Sequence, residues 1–274
     1  MKKINTGVNL DRLGVVMAMT MLAFSLTRIV PVSADPQSLI IFGIKISLTL
    51  NLRTLISLIT ALLAAVGCDW LVRSHPNFSE NQAKGLLGFQ HTIAPVFLAF
   101  VISVTLNQTL ADKYWWTVFA LGGVLLSLIL IAEFAIIDNQ SHDHPLASMA
   151  VVALTFTLFL ILSIATRSLG TRLYLEVIIC LISSAMVSTR TFFIRLKGQF
   201  PVIWILIVSL IMAQLTAGLH YIGLEPIQYG LLLTGILYAM VSLVCGVVKK
   251  KERFALFLEP FAMITILVII IFSL

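Results

Sequence analysis

The sequence has little charge: Asp, Glu, Lys and Arg make up 11% of its 274 residues, against about 25% in a typical soluble domain. Hydrophobic residues make up 59%, and the mean hydropathy is +1.06. A soluble fold of this length has too little interior to bury so much apolar surface. The composition therefore excludes a disordered chain, a disulfide-rich secreted domain and a nucleic-acid-binding module, and it predicts that lipid surrounds most of the chain.

Cysteine and catalytic motifs are also scarce. The three cysteines, Cys68, Cys180 and Cys245, are odd in number and widely spaced, which argues against a disulfide framework and against a zinc site. Each lies in an apolar run, as expected for a small buried hydrophobic residue. The sequence contains no GxSxG, HExxH or P-loop motif. We predict no cofactor.

The N-terminus has some features of a signal peptide. Lys2 and Lys3 precede an apolar stretch, and residues 32–34 form a small-residue segment of the cleavable type. However, Asp11 lengthens the charged region and Arg28 interrupts the approach to the small-residue segment. We favour an uncleaved first helix, with cleavage as the alternative.

Nine apolar segments approach the length of about 20 residues that a membrane-spanning helix needs. They cover residues 13–30, 54–72, 91–106, 114–137, 146–165, 173–191, 201–221, 227–248 and 254–274. Prolines lie at several borders, where a helix tolerates them, and Pro95 and Pro260 lie inside segments and predict kinks. We predict an all-α polytopic transmembrane bundle of about nine helices, forming a single integral membrane domain over residues 1–274.

The segment between the first two predicted helices has a different periodicity. Apolar residues alternate with polar or small ones from Ile40 to Arg53, which is the period of a strand. An isolated strand cannot cross lipid, because its edges would be left without hydrogen bonds. We predict an amphipathic surface strand or hairpin over residues 38–53; a helix that begins near Ile40 is the alternative.

The distribution of basic residues predicts the orientation. With nine helices, twelve Lys and Arg lie in segments on the same side as the N-terminus, and six of the total of 18 lie on the other side. Basic residues accumulate in cytoplasmic segments. We predict a prokaryotic plasma (inner) membrane protein with a cytoplasmic N-terminus and an external C-terminus.

Ionisable residues inside apolar segments are the first candidates for function, because such groups are costly in a membrane. Five of them lie toward the predicted cytoplasmic side: Asp69, His91, Glu133, Arg190 and Glu259. They predict a polar intramembrane cluster or vestibule. The alternative is a set of helix-end residues or static ion pairs.

A second set of polar residues follows one face of the sixth predicted helix and part of the seventh. The candidate cavity-lining residues are Glu176, Ser183, Ser184, Gln214, Thr216 and His220. A polar stripe of this kind faces the interior of a bundle. It indicates a wet cavity between the two helices or, alternatively, hydrogen-bonded helix packing.

The possible ligands for metals or haem form weak patterns. Asp138, His142 and His144 are weak metal candidates in a short polar loop, and a solvated loop is the better interpretation. His91 and His220 lie near opposite membrane faces in this topology, so they cannot share one iron. We predict no metal.

Three classes of function remain. We favour a non-enzymatic membrane subunit or assembly factor, because nearly all of the chain is apolar and its loops are short. The alternative is a transporter of a small solute, an ion or a lipid that uses intramembrane carboxylates. An intramembrane lipid-modifying enzyme is the third. The expected partners are the lipid bilayer and other membrane subunits, and not nucleic acid.

Overall fold

Nine α-helices make up most of the part of the chain that this computed structural model describes, which is residues 10–29, 37–41, 44–48, 52–75, 86–108, 112–138, 144–250 and 253–273. In chain order they are α1 (Leu10–Ile29), α2 (Leu52–Val72), α3 (Leu86–Gln108), α4 (Asp112–Ile136), α5 (His144–Ser168), α6 (Leu173–Arg195), α7 (Val202–His220), α8 (Pro226–Val248) and α9 (Arg253–Ser273). The prediction of an all-α chain with about nine helices is confirmed for these described ranges.

Eight of the helices, α1 to α8, are long and apolar enough to cross a membrane. In α9 the apolar run within the described residues is shorter, Phe257–Leu267. These lengths support a membrane protein. Helices α3 and α6 are longer than predicted, because apolar residues beyond the predicted bounds, 86–89 in α3 and 192–194 in α6, continue the helical turns.

Two short strands precede α2. Gln37–Ile41 (β1) pairs antiparallel with Ile44–Leu48 (β2), so that Gln37 lies opposite Leu48. The predicted strand segment was too long, because α2 already begins at Leu52. The spacing of Leu52, Leu55 and Ile56 is that of a helix. The predicted location of this segment at the membrane surface stays a prediction.

The contacts of the chain divide it into two units. The first contains Met1–Gln82 and Pro95–Ser141, and the second contains Ala83–Ala94 and His142–Leu274. The division within α3 falls at Pro95. Proline has no N–H and cannot bond to the carbonyl four residues earlier, that of His91, so the ladder of the helix is interrupted there.

In the first unit, α1 packs against α2 and α4 through small residues. A Cβ atom at Gly67 would collide with Val16, and one at Gly123 would lie 2.8 Å from the Met21 methyl group. Phe24 of α1 is fully buried. Because lipid is as apolar as these side chains, close packing, rather than the hydrophobic effect, holds such helices together.

Polar contacts supplement this packing. The Ser57 hydroxyl oxygen of α2 accepts hydrogen bonds from Ser103 at 2.8 Å and from the Asn107 amide at 3.0 Å, both on α3. At the two ends of α1, the Arg12 guanidinium lies 5.0 Å from the Trp70 ring centroid, and that of Arg28 lies 5.1 Å from that of Trp115. These cation–π contacts tie α1 to its neighbours near both ends.

In the second unit, α6 packs against α5, α7 and α8, and α8 also packs against α5 and α9. Gly230 of α8 allows a close approach of Ile164, whose Cγ1 would lie 2.6 Å from an added Cβ. Helix α8 begins with a capping box, in which Glu225 and Gln228 each bond to the other's backbone, followed by Pro226 in the first turn. These features fix the start of α8 next to the site described below.

We expect the Gly67→Ala substitution to destabilise the protein. Val16 is β-branched and stiff, so it cannot turn away from the added methyl group, and overpacking of this kind costs about 1–3 kcal/mol. The measurement is the free energy of unfolding in mixed micelles.

Gly14→Ala is the matched control, because nothing lies within 4 Å of a Cβ at Gly14. It should leave stability unchanged or slightly raised, since alanine is the better helix former. Equal stability of the two variants would contradict the close packing of α1 on α2.

Candidate functional site

A buried acid–base pair joins α6 to α7 in the second unit. Glu176 lies in the first turn of α6 and is 2% exposed. Its Oε2 atom lies 2.6 Å from Nδ1 of His220, the last residue of α7, whose side chain is 25% exposed. The partial positive charge at a helix N-terminus favours a carboxylate at this position. The pair therefore connects a buried carboxylate to an imidazole that reaches the surface of the unit.

Two further side chains converge on Glu176. Tyr229 in α8 is fully buried, and its hydroxyl interacts with Glu176 and Thr216 without reaching hydrogen-bond geometry. Within the described part of the chain, Glu176 Oε1, Tyr229 Oη and Thr216 Oγ1 are buried and have no hydrogen-bond partner. Buried polar atoms in proteins are normally paired, with water if not with protein. Three such oxygens together indicate a site for a small polar guest.

A small cavity lies beside Glu176 and Tyr229 and is lined by α5, α6 and α8. The volume open to the centre of a water-sized particle is about 10 Å³, which is room for one water molecule. The lining residues are Leu162, Ser163, Thr166, Glu176, Ile179, Cys180, Ser183, Tyr229 and Leu233. The cavity is thus lined by oxygen atoms as well as by apolar side chains.

Arg167, at the end of α5, lies over this region. Its Nη1 and Nη2 atoms donate to the carbonyls of His220 at 3.2 Å and Ile222 at 2.9 Å, and its Cζ lies 5.3 Å from the centroid of the Tyr229 ring. Arginine commonly bonds to the last carbonyls of a helix in this way. The contacts hold the α7–α8 connection and Tyr229 in place beside the cavity.

A second polar network in this unit joins α6, α8 and α9. The Tyr238 hydroxyl donates to Glu259 Oε1 at 2.7 Å, and Arg195 Nη1 lies 3.5 Å from the same oxygen. The Arg195 guanidinium also lies 5.3 Å from the Tyr238 ring centroid. The Glu259 side chain is 41% exposed, so this network is less sealed than that around Glu176.

The predicted polar intramembrane cluster is distributed over both units. In the first unit, Asp69 forms an ion pair with Arg73 at 2.7 Å, and Glu133 is fully buried. In the second, Arg190 is fully buried, and both it and His91 contact the ring of Phe193. Glu259 takes part in the network with Arg195 and Tyr238. Of these five residues, His91 and Arg190 share a neighbour, the ring of Phe193.

The predicted cavity-lining residues fall into four groups. Glu176 and Ser183 line the cavity, and Thr216 and His220 reach Glu176 or Tyr229 from α7. Ser184 lies about a quarter turn around α6 from Ser183; it is buried, donates to the Leu181 carbonyl and is not among the cavity-lining residues. Gln214 is exposed on the outer face of α7. The lining comes from α5, α6 and α8, whereas a cavity between the sixth and seventh helices was predicted.

The weak metal candidates lie at the end of the first unit and the start of the second. Asp138 and His144 are partly buried, and His142 lies outside the described residues. Among the described residues, no group of three potential ligands could hold a metal ion.

Two important side chains were not anticipated as site residues. Tyr229 lies near a helix border, where interfacial aromatic residues are common, and its side chain is fully buried against the cavity. Arg167 carried no signal beyond a basic residue at a helix end. In both cases the role of the side chain depends on its contacts with a neighbouring helix. The periodicity of a single segment cannot reveal such contacts.

His75 was also missed, because it follows α2 in a polar segment that reads as a solvated loop. It is buried and packs edge-to-face on Phe134, with ring centroids 4.6 Å apart. Burial lowers the pKa of His75, and the nearby Asp138 carboxylate opposes that effect in part. The fold therefore favours the neutral imidazole.

Residues 33–274 match the model of the family described as "Protein of unknown function (DUF5656)". The match covers well over half of the chain, which therefore belongs to this family. No curated protein matches the chain, and no solved structure does.

We expect His75 to make stability depend on pH. Its pKa in the fold lies below the ordinary value of 6.5, so the unfolded chain binds more protons and stability falls as the pH drops below 6.5. The His75→Gln substitution should flatten this dependence. The measurement is the unfolding temperature in detergent from pH 8 to pH 5.

His144→Gln serves as the comparison, since His144 is the less buried of the two. It should retain the slope of the unsubstituted protein. An unchanged slope in the His75→Gln protein would show that the fold does not favour the neutral imidazole.

Proposed function

We propose that this member of the DUF5656 family is a multi-pass integral membrane protein that transports a small ion, with Glu176 and His220 at its binding site. One observation carries the proposal: a nearly fully buried carboxylate that lines a cavity bonds to a histidine with one oxygen, and its other oxygen has no partner among the described residues. An ionisable group in a membrane-spanning helix is costly, and such groups commonly mark an ion or proton pathway.

The unpartnered oxygens favour transport over a purely structural pair. A static ion pair is most stable when every lone pair and proton is satisfied. Here Glu176 Oε1, Tyr229 Oη and Thr216 Oγ1 lack partners among the described residues. The polar atoms of such a site gain partners when a small polar guest occupies it.

The size of the cavity limits the guest. Space for one water-sized particle suits a proton carried by water or a dehydrated small cation, whereas an organic solute or a lipid chain needs far more. We therefore narrow the transported class to small ions.

His220 supports a route for protons. Its side chain is partly exposed, while its Nδ1 atom lies 2.6 Å from the buried Glu176 carboxylate. Histidine changes charge near neutral pH. We propose that it passes protons between the surface of the membrane and Glu176.

The orientation follows from the basic residues. With a cytoplasmic N-terminus and a prokaryotic inner membrane, the start of α6 and the end of α7 lie on the outer side. In that arrangement Glu176 and His220 exchange ions with the exterior.

The second candidate is the non-enzymatic subunit or assembly factor. It is favoured by α9, which packs against α8 and exposes Phe257, Phe261 and Ile264 at helical spacing. Such a row suits packing against a helix of another membrane subunit. Copurification of a stoichiometric membrane partner that is lost on Phe261→Ala would support this function.

We expect Glu176→Gln to abolish ion flux. Purified protein is reconstituted into vesicles that contain a pH-sensitive dye, and proton movement is followed after a pH jump in sodium or in potassium buffer. The substitution removes the charge while nearly preserving the shape of the side chain, so flux should fall to that of protein-free vesicles.

Glu225→Gln provides the matched control. Glu225 is exposed, caps α8, and is not among the cavity-lining residues, and an amide oxygen can still accept the capping hydrogen bond. Flux through this variant should equal that of the unsubstituted protein. If the Glu176→Gln protein inserts normally and conducts equally well, the proposal is wrong.

A further inference from the structure

We infer that the cavity beside Glu176 binds one small monovalent cation of the Na⁺ or Li⁺ class. The inference rests on the proposed function and deepens it by naming the ion. It is argued from the chemistry of the cavity's donor atoms, its charge and its size.

The polar donors at the site are mainly oxygen atoms. Glu176 Oε1, Tyr229 Oη and Thr216 Oγ1 are buried and have no partner within the described chain. The Ser163 and Ser183 hydroxyls, which line the cavity, donate their protons to backbone carbonyls of their own helices, so their oxygens remain available as acceptors. Carboxylate and hydroxyl oxygens are ligands for hard cations.

The charge of the site favours a guest that carries a single positive charge. When neutral His220 donates its Nδ1 proton to Glu176 Oε2, the carboxylate keeps its charge of −1. A water molecule in the cavity would leave that charge without a counter-charge, and a divalent cation would leave an excess of +1; both are unfavourable in a low-dielectric interior. A monovalent cation gives a neutral site.

The other titratable groups that face Glu176 agree with this assignment. They are Cys180 on its own helix, Tyr229 on α8 and His220 on α7, with the Arg167 guanidinium over the Tyr229 ring. Cys180 and Tyr229 are neutral in their ordinary state. The positive charge of Arg167, which bonds to two backbone carbonyls, disfavours a divalent guest more strongly than a monovalent one.

The size of the cavity selects a dehydrated ion. It accommodates one water-sized particle, so a hydrated ion does not fit and the protein oxygens must replace the hydration shell. Na⁺ and Li⁺ are smaller than a water molecule, so the oxygens can move inward to coordinate them. K⁺ is about as large as a water molecule and leaves no room for this movement.

The test is a thermal unfolding titration of the full-length protein in detergent at constant ionic strength. Choline chloride is replaced stepwise by NaCl, LiCl or KCl at pH 8. We expect Na⁺ and Li⁺ to raise the unfolding temperature saturably, on the order of 5 °C at saturation. K⁺ should have little effect.

Three variants locate the effect. Glu176→Gln should abolish the sodium shift, and Ser183→Ala, which removes one cavity-lining oxygen, should shift the titration to higher sodium concentrations. The latter keeps the test valid if Glu176→Gln fails to fold. Glu225→Gln should titrate as the unsubstituted protein does.

The outcomes separate this inference from the proposed function. Equal stabilisation by Na⁺ and K⁺, or a sodium shift that survives Glu176→Gln, overturns the assigned site. No sodium shift together with proton flux that depends on Glu176 also overturns it, leaves the proposed function intact and assigns water to the cavity. Absence of both the shift and the flux overturns both.

Discussion

The structure of the second unit depends on one constraint: a buried carboxylate needs hydrogen-bond donors or a counter-charge, and lipid supplies neither water nor counter-ions. Glu176 obtains one hydrogen bond from His220 at 2.6 Å, and that bond joins the first turn of α6 to the last residue of α7. Removing one partner of a buried pair leaves an uncompensated charge, which is far more costly than losing an ordinary contact. The approach of α6 to α7 at this end, and the cavity beside it, follow from this requirement.

Other contacts hold the surroundings of the pair. Arg167 bonds to the carbonyls of His220 and Ile222 and lies over Tyr229, and the capping box fixes the start of α8. The network around Arg195 and Glu259 lies near the other end of α6, roughly 30 Å away at the rise of an α-helix. Polar residues thus hold both ends of the unit, while apolar and small residues pack between them.

The first unit is held together mainly by the close packing of complementary helix surfaces. Small residues let α1 approach α2 and α4, and arginines near both ends of α1 lie over tryptophan rings of neighbouring helices. Glu133 and His75, two buried ionisable residues in the described part of this unit, differ in how easily the sequence reveals them. Glu133 interrupts an apolar segment and is easily found, whereas His75 lies beyond the end of α2, where only the fold shows that it is buried.

The sequence alone determined the number and approximate bounds of the helices and the inward polar stripe with Glu176 and Ser183, because the thickness of a bilayer and the period of a helix act on each segment separately. The tertiary structure decided which residues meet. It paired Glu176 with His220, buried Tyr229 beside them and left Gln214 exposed. The physical reason is that burial and pairing depend on the face each helix turns to its neighbours, and close packing between helices sets that rotation.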